Sequence, residues 1–117
     1  MSPFTRWFQV EVLRREGGEA ELRLPVREEF LQGRGVVHGG ILAALLDTAL
    51  GNAVGSLGVE VVTAELSVSY LKPVRGGVLH ARGYVLHAGG RLFHAAGEAL
   101  LEGERVAWAK GLFYRVG

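Results

Sequence analysis

The chain of 117 residues contains no cysteine, one methionine, one asparagine, one aspartate and only two lysines. Without cysteine there is no disulfide framework, no thiolate-held iron–sulfur cluster and no thiol nucleophile. Arginine replaces lysine, so 13 basic against 12 acidic side chains leave a formal charge of +1. With no basic run, nucleic acid is excluded as the main ligand. The longest apolar stretch, Ile41 to Val54, is interrupted by Asp47 and is too short to span a bilayer. The N-terminus lacks a basic end followed by a continuous apolar run, so the expectation is a soluble, cytoplasmic protein with no membrane partner. Scarce Asn, Met and Cys, with 11 Arg to 2 Lys, lean towards a heat-adapted or GC-rich source. What is abundant is hydrophobic side chains, 49%, and glycine, 18 residues. Such a chain makes one domain, 1–117, that buries roughly 65% of its unfolded surface, enough for one core with little spare. A partner chain could supply the rest.

Alternation from Phe8 through Val10 and Val12 predicts a first strand. Gly17-Gly18 marks a turn, and Ala20, Leu22 and Leu24 a second strand ended by Pro25. Val26 to Val37 reads as a loop with one helical turn near Glu28 to Leu31. From His38 to about Ser56, Leu42, Leu45, Leu46, Ala49, Leu50, Ala53 and Val54 recur at helical spacing. Small or apolar residues occupy nearly all faces of that helix, so other structure is expected to wrap it. Four strands follow: Val59 to Leu71, with Val62, Ala64, Leu66, Val68 and Tyr70 on one side, then Val78 to Ala88, Arg91 to Glu102 and Arg105 to Val116. An α+β fold, one long central helix wrapped by an antiparallel sheet of about six strands, satisfies this order.

Gln32 to Asp47 reads Q-G-R-G-V-V-H-G-G-I-L-A-A-L-L-D. His38-Gly39-Gly40 opens the helix, where free N–H groups and the positive end of the dipole meet a backbone without side chains, an arrangement suited to an anion or oxyanion. Alternatively the glycine pair marks a turn or close packing. Asp47 falls mid-helix among Leu45, Leu46 and Leu50, with no Lys or Arg three or four positions away. A buried carboxylate there is costly, and reads either as a general base or nucleophile or as a satisfied structural group. His38 can act as a base or orient the loop. His80, His87 and His94 lack metal-ligand spacing, His80 and His87 falling on opposite faces of one strand by parity, so no metal site is expected.

Gly39 and Asp47 are eight residues apart, about 12 Å along a helix. One reacting carbonyl must lie about 3 Å from both an oxyanion donor and the attacking group. Two antiparallel helices related by a twofold axis satisfy this, because Gly39 of one then faces Asp47 of the other. Ala43, Ala44, Gly51 and Gly55 would permit the close approach.

Three segments together, G-V-V-H-G-G-I-L-A-A-L-L-D-T-A (Gly35 to Ala49), V-T-A-E-L-S-V-S-Y-L-K-P (Val62 to Pro73) and G-G-R (Gly89 to Arg91), make the sequence resemble the hot-dog fold acyl-CoA thioesterases, in particular the phenylacetic-acid-degradation (PaaI-type) branch. The resemblance covers nearly the whole chain. It implies hydrolysis of an aryl- or medium-chain acyl-CoA to free acid and coenzyme A, with no cofactor beyond the coenzyme A of the substrate. It implies that the Gly39 N–H polarises the thioester carbonyl and that Asp47 of the facing subunit activates water or attacks directly. Thr63 matches a hydroxyl position that helps place the water, and Gln32 stands where relatives often carry Asn near the thioester. Gly40, Lys72, Arg75, Gly90 and Arg91 become candidates for the nucleotide and phosphates. A homodimer, pairing into a homotetramer, is the implied assembly. The alternatives are a hot-dog hydratase or dehydratase, using His38 with Asp47, and a non-catalytic acyl-CoA-binding protein.

Overall fold

Ser2 and Pro3 start the chain on a helix rather than a strand. In the computed structural model, which describes residues 2–117, the Ser2 side chain accepts from the Thr5 N–H, Pro3 takes the first helical position, and α1 runs Pro3–Phe8. The predicted strand at Phe8 is thus corrected. Phe8 ends this helix with its ring buried against Phe30, and β1 (Glu11–Glu16) begins three residues later. The alternation that suggested a strand arises because Phe8 and Val10 are both buried although their backbones differ. Arg27 clamps α1, donating to the carbonyls of Trp7 and Phe8 while its guanidinium lies 4.1 Å from the centre of the Phe30 ring.

β2 (Glu19–Pro25) follows the Gly17-Gly18 turn, and a 3₁₀ turn at Glu28–Phe30 interrupts the loop that leads to α2 (Gly39–Gly55). Then come β3 (Val61–Tyr70), β4 (Val78–Ala88), β5 (Leu92–Leu101) and β6 (Glu104–Arg115). All six strands form one antiparallel sheet in the order β1-β2-β4-β5-β6-β3. β1 and β3 are its edges. Bulges in β1, β3, β4 and β6 bend it around α2. Together these features are the architecture of the hot-dog fold.

Leu42, Leu45, Leu46, Ala49, Leu50, Ala53 and Val54 of α2 are buried against the concave face, each larger side chain contributing roughly 1.5–3 kcal/mol. The helix crosses the sheet at Gly83 of β4 and Gly97 of β5, which are register partners. A Cβ at Gly83 would lie 2.6 Å from the Ala49 carbonyl oxygen, so only glycine lets the helix backbone rest directly on the strand.

α2 is not wrapped on every side, contrary to the expectation from its composition. Ala44, Asp47, Thr48, Gly51, Asn52 and Gly55, at three- and four-residue spacing, form a strip that is only half-buried. Small apolar residues alone do not reveal whether a face is covered. The bulge between Thr63 and Glu65 likewise overturns the strict alternation read along β3. Thr63 pairs with buried Phe113 and faces the helix, and after the extra residue the inward series continues as Leu66, Val68 and Tyr70, leaving Val62 on the outer face, 52% exposed. A bulge between Val85 and His87 corrects the histidine parity in the same way, pairing His87 with His94, their ring centres 6.1 Å apart on the outer face.

Candidate active site

His38 is the N-cap of α2. Its extended backbone (φ −60°, ψ 136°) leads into the helix, and its Nδ1 accepts the Gly40 N–H at 2.9 Å. Gly40 therefore has its donor occupied, and His38 acts on the backbone of the helix start. The Gly39 N–H has no acceptor among the described residues, and as the first helical residue it has no carbonyl one turn earlier to bond. Tyr70 defines the wall beside it: its hydroxyl donates to the Gly39 carbonyl at 2.8 Å, and a Cβ at Gly39 would press on the Tyr70 ring at 3.2 Å. Gly39, Tyr70 and Lys72 line a cavity of about 300 Å³ with Val37, Leu42 and Val74. A free N–H at the positive end of a 17-residue helix, beside an apolar cavity, can stabilise an oxyanion.

Asp47 lies two turns further along, facing a different cavity. Its carboxylate accepts the Thr63 hydroxyl at 2.7 Å. Asp47 is half-buried rather than buried: the neighbouring leucines point to the core, while the aspartate falls on the open strip. The cost anticipated for a carboxylate sealed among leucines is therefore not incurred in the single chain. Thr48 cannot substitute for Thr63, because its hydroxyl donates to the Ala44 carbonyl at 2.7 Å. The groove into which Asp47 opens has a volume of about 630 Å³ and is lined also by Thr63, Gly51, Asn52, Arg15 and Phe113.

The structure brings Asp47 and Thr63 together and keeps Gly39 apart from them, in a separate cavity of the same chain. Gln32 lies in the turn before the helix with its side-chain oxygen bonded to the Arg34 N–H, and it lines neither cavity. Lys72 sits at the helix N-terminal end of the sheet in an ion pair with Glu104, and exposed Arg75 lies in the same connection. Gly90 and Arg91 form the β4–β5 turn at the opposite end of the sheet, where Arg91 meets Arg115 at the end of β6. Sequence reasoning missed Tyr70 as a site residue, naming it only as one of a series on one side of a strand. It also missed Arg15, for which the sequence offers no signal beyond strand parity.

Residues 34–107 match the thioesterase superfamily. A Halobacterium salinarum protein provisionally named an esterase is 46% identical over 70 residues, 53% of this chain and 46% of its own length. The chain spans about half the length of the first curated relatives it matches. Among solved structures, the E. coli PaaI protein from the phenylacetic acid degradation operon superposes with a TM-score of 0.93 at 26% identity, covering 99% of this chain and 86% of that one. A hypothetical thioesterase from Streptococcus pneumoniae, solved with coenzyme A, gives a TM-score of 0.88 at 29% identity, covering 92% and 89%.

Proposed function

Because the chain belongs to the thioesterase superfamily, we propose that it hydrolyses acyl-CoA thioesters at two sites shared between the subunits of a homodimer. One observation carries this reading: a free N–H at the start of α2 and a Thr63-held carboxylate two turns later face separate cavities of one chain. A twofold axis across the open strip of α2, with the unpaired β3 edge beside it, sets Gly39 of one subunit against Asp47 of the other and generates the site twice. The same symmetry brings opposite ends of the two sheets together. The Lys72–Arg75 connection of one subunit and the Gly90–Arg91 turn of the other then both come within reach of the coenzyme A nucleotide and phosphates.

In this arrangement the Gly39 N–H stabilises the negative charge that develops on the carbonyl oxygen, with the helix dipole behind it. Thr63 fixes one Asp47 oxygen, leaving the other to take a proton from the attacking water or to attack the carbonyl carbon itself. The C–S bond breaks and the thiolate leaves, accepting a proton to give free coenzyme A; attack by water yields the carboxylic acid directly, whereas attack by Asp47 leaves a mixed anhydride that water then hydrolyses to the acid and the free aspartate. The thiolate leaves readily, so no strong general acid is needed, and His38, committed to its cap, is given none of the chemistry. This also weighs against a hydratase, which would need His38 for proton transfer.

Release of free thiol from phenylacetyl-CoA and from fatty acyl-CoAs tests the reading, with Asp47→Asn and Asp47→Ala alongside. Turnover by the wild-type chain that both variants lose is the expected result. No release from any acyl-CoA, or full rate in the variants, refutes it.

A further inference from the structure

The groove below Asp47 has a chemistry that the hydrolytic step does not use. Its floor at Gly51 carries no side chain, so the edge of buried Phe113 lies open beneath it, and Val59 and Val61 form an apolar wall. At its far end stands Arg15 of β1. Arg15 Nε donates to Asn52 Oδ1 at 3.0 Å, and Asn52 Nδ2 in turn donates to the Thr48 carbonyl at 2.8 Å, so the amide is fixed and holds the guanidinium against the helix. Gly55 makes room for it, since a Cβ there would overlap Arg15 Nη2. Arg14, its neighbour on β1, is paired with Glu16 and Glu19, whereas Arg15 has no carboxylate within ion-pair distance among the described residues. Glu60, the other acid on the groove, lies towards the chain end at Gly117. Neither terminal nitrogen of Arg15 has a hydrogen-bond partner among the described residues, which leaves the guanidinium without a counter-charge.

We propose that this groove is the acyl subsite and that Arg15 selects acyl groups ending in a carboxylate. The inference rests on the hydrolase reading above. Asn52 lies five residues beyond Asp47, about 7–8 Å along the helix axis, so a thioester at Asp47 and a carboxylate at Arg15 are bridged by a short methylene chain over the Val59, Val61 and Phe113 surface. In a dimer that covers the open strip, the groove loses water, and an unpaired guanidinium there becomes costly unless the substrate supplies the counter-charge. Arginine suits a carboxylate because its planar fork makes two parallel hydrogen bonds.

The test compares kcat/KM for adipyl-CoA and hexanoyl-CoA, which differ only in the terminal carboxylate, in the wild-type chain and in Arg15→Ala and Arg15→Lys, with circular dichroism to confirm folding. The expected result is a preference for adipyl-CoA of about tenfold or more, reduced towards unity in Arg15→Ala and partly kept in Arg15→Lys. Hydrolysis of hexanoyl-CoA as good as or better than adipyl-CoA, or a ratio that Arg15→Ala leaves unchanged, overturns the inference while the hydrolase reading stands. No hydrolysis of any thioester overturns both.

Discussion

Replacing Thr63 by valine keeps the size and β-branching that suit β3 and deletes one hydroxyl, the only side-chain donor to Asp47 among the described residues. The bond is 2.7 Å, short as expected for O–H to an ionised acceptor. Hydrogen bonds to charged groups contribute roughly 1.5–3 kcal/mol net, and each ~1.4 kcal/mol of lost transition-state stabilisation slows a reaction about tenfold. Thr63 is exposed in the single chain, which places the effect near the lower figure, a loss of about tenfold, rising towards a hundredfold if a second subunit excludes water from the site. In the proposed mechanism the hydroxyl orients the carboxylate rather than holding substrate, so the loss should fall on kcat with KM little changed. Thiol release under steady-state conditions measures both constants, and Thr63→Ser, which restores a hydroxyl, should recover much of the rate. A Thr63→Val enzyme with wild-type kcat, or a Thr63→Ser enzyme as slow as Thr63→Val, refutes the reasoning.

Asp47→Asn, which retains shape and the Thr63 contact but cannot accept a proton, should lower kcat by about two to four orders of magnitude, and a smaller change removes Asp47 from the chemistry. Gly83→Ala should lower the melting temperature: its Cβ meets the Ala49 carbonyl oxygen at 2.6 Å, and overpacking of about 1–3 kcal/mol exceeds the ~0.4–1 kcal/mol gained from a stiffer unfolded chain. Gly33→Ala, with nothing within 4 Å, is the control and should be neutral or slightly stabilising. In light scattering the protein should run at the mass of at least two chains, and a monomer with full activity contradicts the shared site.

The parts of this fold that were legible in the sequence are those where one periodicity runs uninterrupted. The α2 apolar residues from Leu42 to Val54 repeat at helical spacing across about three turns, and the boundary glycines lie where the helix and the strand turns end. Bulges were not legible, because an inserted residue at Ala64 or Leu86 leaves no compositional mark yet reverses the parity of everything after it. Thr63 faces Asp47, whereas strict alternation would have turned it outward; the family resemblance marked it only as a hydroxyl position that helps place the water. The N-terminal helix was hidden for a related reason: Phe8 and Val10 are buried by different backbones, and only the Ser2-Pro3 cap distinguishes them. Asp47 was singled out as a candidate from its isolation among leucines, although its surroundings were misjudged. The leucines face inward and the carboxylate sits on the one strip of α2 that the sheet does not cover. Tyr70 and Arg15 depend on contacts across 31 and 37 residues of chain, which no local pattern encodes.

The shared site is tested most directly by complementation between two inactive chains. Gly39→Pro removes the N–H proposed to hold the oxyanion at the first helical position, where proline is tolerated and the extended His38 backbone before it is already compatible, with Tyr70 yielding a few tenths of an ångström. Co-expressed with Asp47→Asn under a different affinity tag, it yields a heterodimer that can be purified through both tags. Facing helices leave one site of that heterodimer with both groups intact and the other with neither. About half the wild-type rate of thioester hydrolysis per dimer is the predicted result. A heterodimer as inactive as the two parent homodimers would place Gly39 and Asp47 of the same chain in one site and contradict the account.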